Sequence, residues 1–117
     1  MRLTEMVFPQ GLPVDGYGPG FFRVAGTVIR GPILVLPDGA APWAGLPDAA
    51  PILAAAAALD VVFLGTGAEI APAPPAFRAA LEAAGIGVEI MNSPAAARTY
   101  NVCLAEGRRV AAALMPV

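Results

Sequence analysis

The residues best able to do chemistry in this 117-residue chain are gathered in RTYN at 98–101, with Arg108 and Arg109 shortly after. The chain has no lysine and no histidine, and only 14% of its residues are charged, so this cluster stands out. Arg98 has the donor geometry to hold a carboxylate or phosphate through two parallel N–H groups. Tyr100 can donate a hydrogen bond from a mostly buried ring. On a helix Arg98 and Asn101 stand three apart and share a face, whereas Tyr100 lies on the other side with Ala96 and Cys103. A second candidate is the turn Gly65-Thr66-Gly67, placed just past an all-apolar run, where an open α/β sheet puts its ligands. Its glycines permit close backbone approach, and its amides could hold an anion.

Each candidate has a purely structural alternative. The Gly65–Gly67 turn carries neither the G-x-G-x-x-G spacing nor a phosphate-binding lysine, and prolines 72, 74 and 75 follow it, so the reading it favours is a tight turn without ligand. Arg98 can instead pair with a loop carbonyl, Glu69 or Glu89 while Tyr100 packs. Cys103 has no histidine-type base beside it and reads as a small core residue. Arg78 and Glu82 form an i, i+4 pair on a solvated helix face. Asp38, Asp48, Asp60, Glu69 and Glu89 are scattered, so acid and base roles cannot be assigned. Trp43 is a large apolar anchor that serves either the core or a partner.

The elements that must position these residues follow from punctuation and period. Prolines and glycines over the first twenty residues predict turns and extended segments. Phe21–Val24, Thr27–Ile29 and Ile33–Leu36 read as short strands, the last ended by the turn Pro37-Asp38-Gly39. Such close spacing favours antiparallel pairing. From Asp48, a capping residue, a helix is expected over about 49–59, with Pro51 in its first turn. Val61–Leu64 reads as a strand buried on both faces. Phe77, Ala80, Leu81 and Ala84 mark a helix opened by Pro75 and closed by Gly85. Val88–Met91 is a further strand; Ser93-Pro94 caps a helix to about Ala105, and Arg109–Met115 is the last strand. The fold class is α/β: one compact domain over 1–117, with a mixed sheet, a βαβ-type C-terminal half and antiparallel N-terminal strands.

Composition excludes several functions. A net charge of −2 with dispersed arginines gives no footprint for nucleic acid or for an anionic membrane. The longest strictly apolar run, Ala49–Leu59, is about half a membrane span, and the N-terminal residues lack a signal-peptide core. One cysteine rules out an intrachain disulfide, without histidine no metal site is expected, and with no cofactor motif no cofactor is expected either. The chain reads as soluble and cytoplasmic.

YGPGFFRV (17–24), PILVLPDG (32–39) with Trp43 behind it, VFLGTG (62–67) and ARTYNVCLAEGRRVAAALMPV (97–117) carry a resemblance over nearly the whole chain. They resemble a family of small bacterial, archaeal and mitochondrial proteins that includes a mitochondrial respiratory complex I assembly factor. The matching motif residues are Gly65, Thr66, Gly67, Arg98, Thr99, Tyr100, Asn101 and Arg108, with Ser93 where the family often has threonine. The resemblance implies a compact α/β domain without catalytic activity. It also implies an accessory role in assembling NADH:ubiquinone oxidoreductase, peripheral to the inner membrane and with protein partners: respiratory-complex subunits or another assembly factor. The proline-rich loops at 37–51 and 71–75 are candidate contact regions; a homodimer through an exposed apolar patch is the rival explanation. A small-molecule or anion-binding module is the alternative function. It requires the Gly65–Gly67 turn to meet Arg98 and Asn101 in one polar notch, which would otherwise be an internal network locking the sheet to its last helix.

Overall fold

Two sheets share the strands. In the computed structural model, which describes residues 11–117, β1 (Val14–Gly18), β2 (Phe21–Val24) and β3 (Thr27–Arg30) form an antiparallel meander. A five-stranded sheet has the order β5-β4-β8-β6-β7, from β4 (Ile33–Leu36), β5 (Gly39–Pro42), β6 (Val61–Gly65), β7 (Gly87–Met91) and β8 (Val110–Leu114). β8 pairs antiparallel with β4 and parallel with β6, and β6 pairs parallel with β7, so the sheet is mixed as expected. The turn-rich reading of residues 1–10 lies outside the described residues.

The register explains why the central strands are apolar throughout. Val61, Phe63 and Gly65 stand opposite Val110, Ala112 and Leu114. Phe63, Val110, Ala112 and Leu114 point to one face, under α3 (Ser93–Ala105) and the β1–β3 meander. Val62, Leu64, Ala111 and Ala113 point to the other, under α1 (Ala50–Ala54) and α2 (Pro75–Ala83). A sheet covered on both faces cannot show polar alternation. On the α3 face, Ala112 between Val110 and Leu114 is the small residue of β8 over which the helix packs. Trp43 belongs to the α1–α2 side: it is 5% exposed, its ring is tilted against Phe77, and its indole N–H donates to the Asp48 carbonyl at 2.9 Å. Between the two readings of Trp43, the geometry selects the core.

Three expectations are corrected. β1 and β5 are strands that the punctuation concealed: Pro37 and Asp38 form the tip of a β4–β5 hairpin in which Leu36 pairs with Gly39. The helix expected over 49–59 stops at Ala54 and resumes only as a 3-10 turn over Ala56–Ala58. Its alanine run offers only Ile52 as a fully buried anchor, so little packing enforces regular helix. Asp48 accepts the Ala50 N–H at 3.2 Å from just outside that helix. Finally, Asn92 rather than Ser93 caps α3, its side chain accepting the Ala95 N–H at 2.8 Å. Arg78 and Glu82 do pair on α2, at 3.2 Å.

Candidate functional site

The Gly65–Gly67 turn is built into the chain's own polar contacts. Gly65 ends β6 where α3 begins: a Cβ there would lie 2.7 Å from Ser93 Cα and 2.9 Å from Leu114 Cδ2, so only glycine admits this approach. Ser93, released from capping, is fully buried. Its Oγ accepts the Gly67 N–H at 2.9 Å and donates to the Met115 carbonyl. The Thr66 N–H donates to the Met91 carbonyl at 3.0 Å. The Thr66 hydroxyl donates to the Glu69 carbonyl and accepts the Ala71 N–H, at 2.8 and 2.9 Å. One serine thus joins the ends of β6 and β8 to the first turn of α3.

The four residues of RTYN point in four directions. Successive helical positions turn by about 100°, so a run of four surveys the whole circumference. Arg98 is exposed. Thr99 faces β7, its hydroxyl 3.5 Å from Met91 Sδ. Tyr100 is fully buried with Ala96 and Cys103, and its hydroxyl donates to the Leu12 carbonyl at 2.8 Å. Burial pushes its phenol pKa well above the ordinary 10.0. Asn101 turns to the meander: its Oδ1 accepts the Val14 N–H and its Nδ2 donates to the Val14 carbonyl, both at 2.8 Å. The amide thereby supplies β1 with a lateral partner of the kind a neighbouring strand would provide.

The structure does not bring the Gly65–Gly67 turn together with Arg98 and Asn101. The turn meets α3 at Ser93, and Asn101 lies eight residues on, about 12 Å along the helix axis, engaged with Val14. Among the described residues the ion pairs are Arg78–Glu82 and Arg109–Asp60, so neither Glu69 nor Glu89 pairs with Arg98.

Two of the predicted residues, Thr99 and Arg108, do meet, in a cleft of about 310 Å³ between α3 and β6–β7. Val61, Phe63 and Met91 form its apolar wall, with Glu89 and Cys103 completing the lining. Beyond Ala105 the chain reverses at Gly107, the Arg108 N–H donating to the Cys103 carbonyl at 3.1 Å. This returns the Arg108 side chain over the last helical turn, with Nη1 3.5 Å from Cys103 Sγ. Cys103 is buried, as expected, but a guanidinium is its neighbour, which sequence reasoning missed because the contact depends on the reversal. The cleft carries a positive group, a carboxylate and a thiol beside an apolar wall. Among the described residues no group of three His, Cys, Asp or Glu side chains could hold a metal ion.

Comparison with known proteins places these features in a family. A family described as a protein of unknown function (DUF498/DUF598) matches residues 14–115, from β1 to just past β8. An uncharacterized protein of Rhodobacter capsulatus is 50% identical over 117 residues, covering all of this chain and 94% of that protein. The mouse NADH dehydrogenase [ubiquinone] 1 alpha subcomplex assembly factor 3 is 30% identical over 124 residues; the match takes in 99% of this chain and 66% of the mouse protein's length. A crystal structure of an outer membrane protein from Bartonella henselae superposes with a TM-score of 0.83 at 36% identity, covering 93% of this chain and 98% of that one. With the family match extending over nearly every element, the chain belongs to the protein family of unknown function DUF498/DUF598.

Proposed function

We propose that this protein is a non-enzymatic accessory factor that binds a protein client while a membrane complex of the NADH:ubiquinone oxidoreductase type is assembled. The observation that supports this most is the match to the mouse assembly factor over 99% of the chain. The mode of action is chaperone-like: the factor covers an apolar surface of an immature subunit until that subunit's final partner arrives. Exposed apolar side chains suit such a role, Ile70 at 66% and Val102 at 58% being the most open large ones among the described residues. So does an apolar groove of about 440 Å³ where Leu36 and Pro37 of the β4–β5 hairpin face Pro51, Ala54, Ala55 and Ala58. It lies at the proline-rich 37–51 segment.

The alternative, an anion-binding module, draws support from one observation, the cleft beside Arg108 and Thr99, and Glu89 on its wall disfavours an anion there. No helix among the described residues is long and apolar enough to cross a membrane. Crosslinked capture of the full chain from its own cells in mild detergent tests the proposal. NADH dehydrogenase subunits, or the machinery that inserts them, are expected among the captured proteins. Recovery of the chain alone, or only with itself, overturns it.

A further inference from the structure

The YGPGFFRV segment forms the end of β1, the following turn and β2, yet nothing in the central sheet explains its outward-facing residues. Phe22 points inward and is fully buried, so its neighbours Phe21 and Arg23 point outward. Across the meander Phe21 pairs with Gly18 and Arg30, and Arg23 with Gly16 and Val28. The two glycines leave space that these side chains use. A Cβ on Gly18 would lie 2.5 Å from the Phe21 ring, and one on Gly16 would lie 3.2 Å from Arg23 Nη2. The aromatic ring and the guanidinium therefore lie down over the β1 backbone. Arg30 completes the arrangement, its guanidinium carbon 5.9 Å from the Phe21 ring centre. Val28 is 50% exposed between them.

Charge on this face is one-signed. Asp15 is the only acidic residue of the three strands, and its carboxylate is turned to the β2–β3 turn, where it accepts the Gly26 N–H at 2.8 Å. Elsewhere Arg78 and Arg109 are matched by Glu82 and Asp60, whereas among the described residues neither Arg23 nor Arg30 has a carboxylate partner. Flat aromatic and guanidinium groups with few acids are the composition of protein-binding surfaces. Membrane attraction requires clusters of roughly four to eight basic residues, and this face has two.

We infer that the outer face of the β1–β2–β3 meander, with Arg23 and Arg30 bracketing Phe21 and Val28, docks an acidic, partly apolar segment of a protein partner. This rests on the protein-client reading above and names the surface that would serve it. The defined probe is a soluble glutamate–tyrosine copolymer, with a lysine–tyrosine copolymer as control, titrated into the full-length protein while backbone amides are followed by NMR. Amide shifts are expected over residues 16–30 with the acidic copolymer alone. The pair Arg23→Glu/Arg30→Glu should weaken binding about tenfold, and Arg23→Lys/Arg30→Lys should retain most of it. Shifts centred elsewhere, or undiminished binding by the charge-reversed pair with an unchanged melting temperature, overturn the inference. Preferential binding of phosphatidylglycerol vesicles, or self-association through this face, overturns it too. Crosslinked capture with the charge-reversed protein separates the two readings. Undiminished recovery of NADH dehydrogenase subunits rejects this surface and leaves the client reading intact, whereas no recovery even by the wild type rejects the client reading.

Discussion

Replacing Asn101 by alanine should loosen the meander from the rest of the fold. The side chain makes two hydrogen bonds of 2.8 Å to the N–H and carbonyl of Val14, a residue only 6% exposed. An internal hydrogen bond contributes about 1 kcal/mol net, and a buried group left without its partner costs about 1–3 kcal/mol. Both Val14 groups lose a partner, and partial access of water at Asn101 lowers the toll, which gives a loss of ~2–4 kcal/mol. For a domain of this size that corresponds to a melting temperature lower by about 10 °C. Circular dichroism melts give the global effect, and hydrogen exchange at the Val14 amide reports the local one, which should accelerate. Asn101→Asp separates geometry from volume: it keeps an acceptor for the Val14 N–H but sets a carboxylate against the Val14 carbonyl. It should be as damaging as alanine at neutral pH and recover in part when the carboxyl is protonated, below about pH 4. A melting temperature within ~2 °C of wild type for Asn101→Ala, with unchanged Val14 exchange, would refute the assignment of Asn101 as the clamp on β1.

Other perturbations test the remaining contacts. Gly65→Ala forces a Cβ to 2.7 Å from Ser93 Cα, backbone that cannot swing aside, so a loss of at least ~2 kcal/mol is expected in urea unfolding; a wild-type midpoint contradicts that packing. Because burial raises the Tyr100 pKa, the unfolded chain loses this proton first as pH rises past 10.0, and the stabilising contribution is full below that value and declines above it. Tyr100→Phe should flatten the alkaline fall in stability, and an identical alkaline profile argues against a buried phenol. Arg109 donates to both oxygens of Asp60 and holds its carboxyl below the ordinary 3.8. That contribution is present above 3.8 and lost as pH falls below it. Asp60→Asn should therefore narrow its gap to wild type on acidification, and a pH-independent gap removes the pair from the account.

Where a residue's neighbours lie close in sequence, the structure was legible beforehand. α2 could be read from Pro75, the spacing of Phe77, Ala80 and Leu81, and Gly85, because helix signals are local. The strands β6 and β8 were legible because burial on both faces leaves continuous apolar runs. β1 was not, since what makes Val14–Gly18 a strand is its pairing with β2 and an amide 87 positions away. Nor was the choice between Asn92 and Ser93 as cap: both residues can do it, and Ser93 is withdrawn by Gly67 and Met115, which only the folded sheet brings to it. The same limit governs the candidate site. The type and order of Arg98, Thr99, Tyr100 and Asn101 were visible, but helical rotation sends them to solvent, β7, the core and β1 in turn. Arg108 was singled out by motif, and its approach to Cys103 depends on the chain reversal at Gly107.

If this protein serves the assembly of a membrane complex, deleting it from its own cells and resolving solubilised membranes on native gels should reveal the loss. Less fully assembled NADH:ubiquinone oxidoreductase is expected, with accumulated subassemblies and restoration by the wild-type chain. A full complement of intact, active complex in the deletion strain would contradict it.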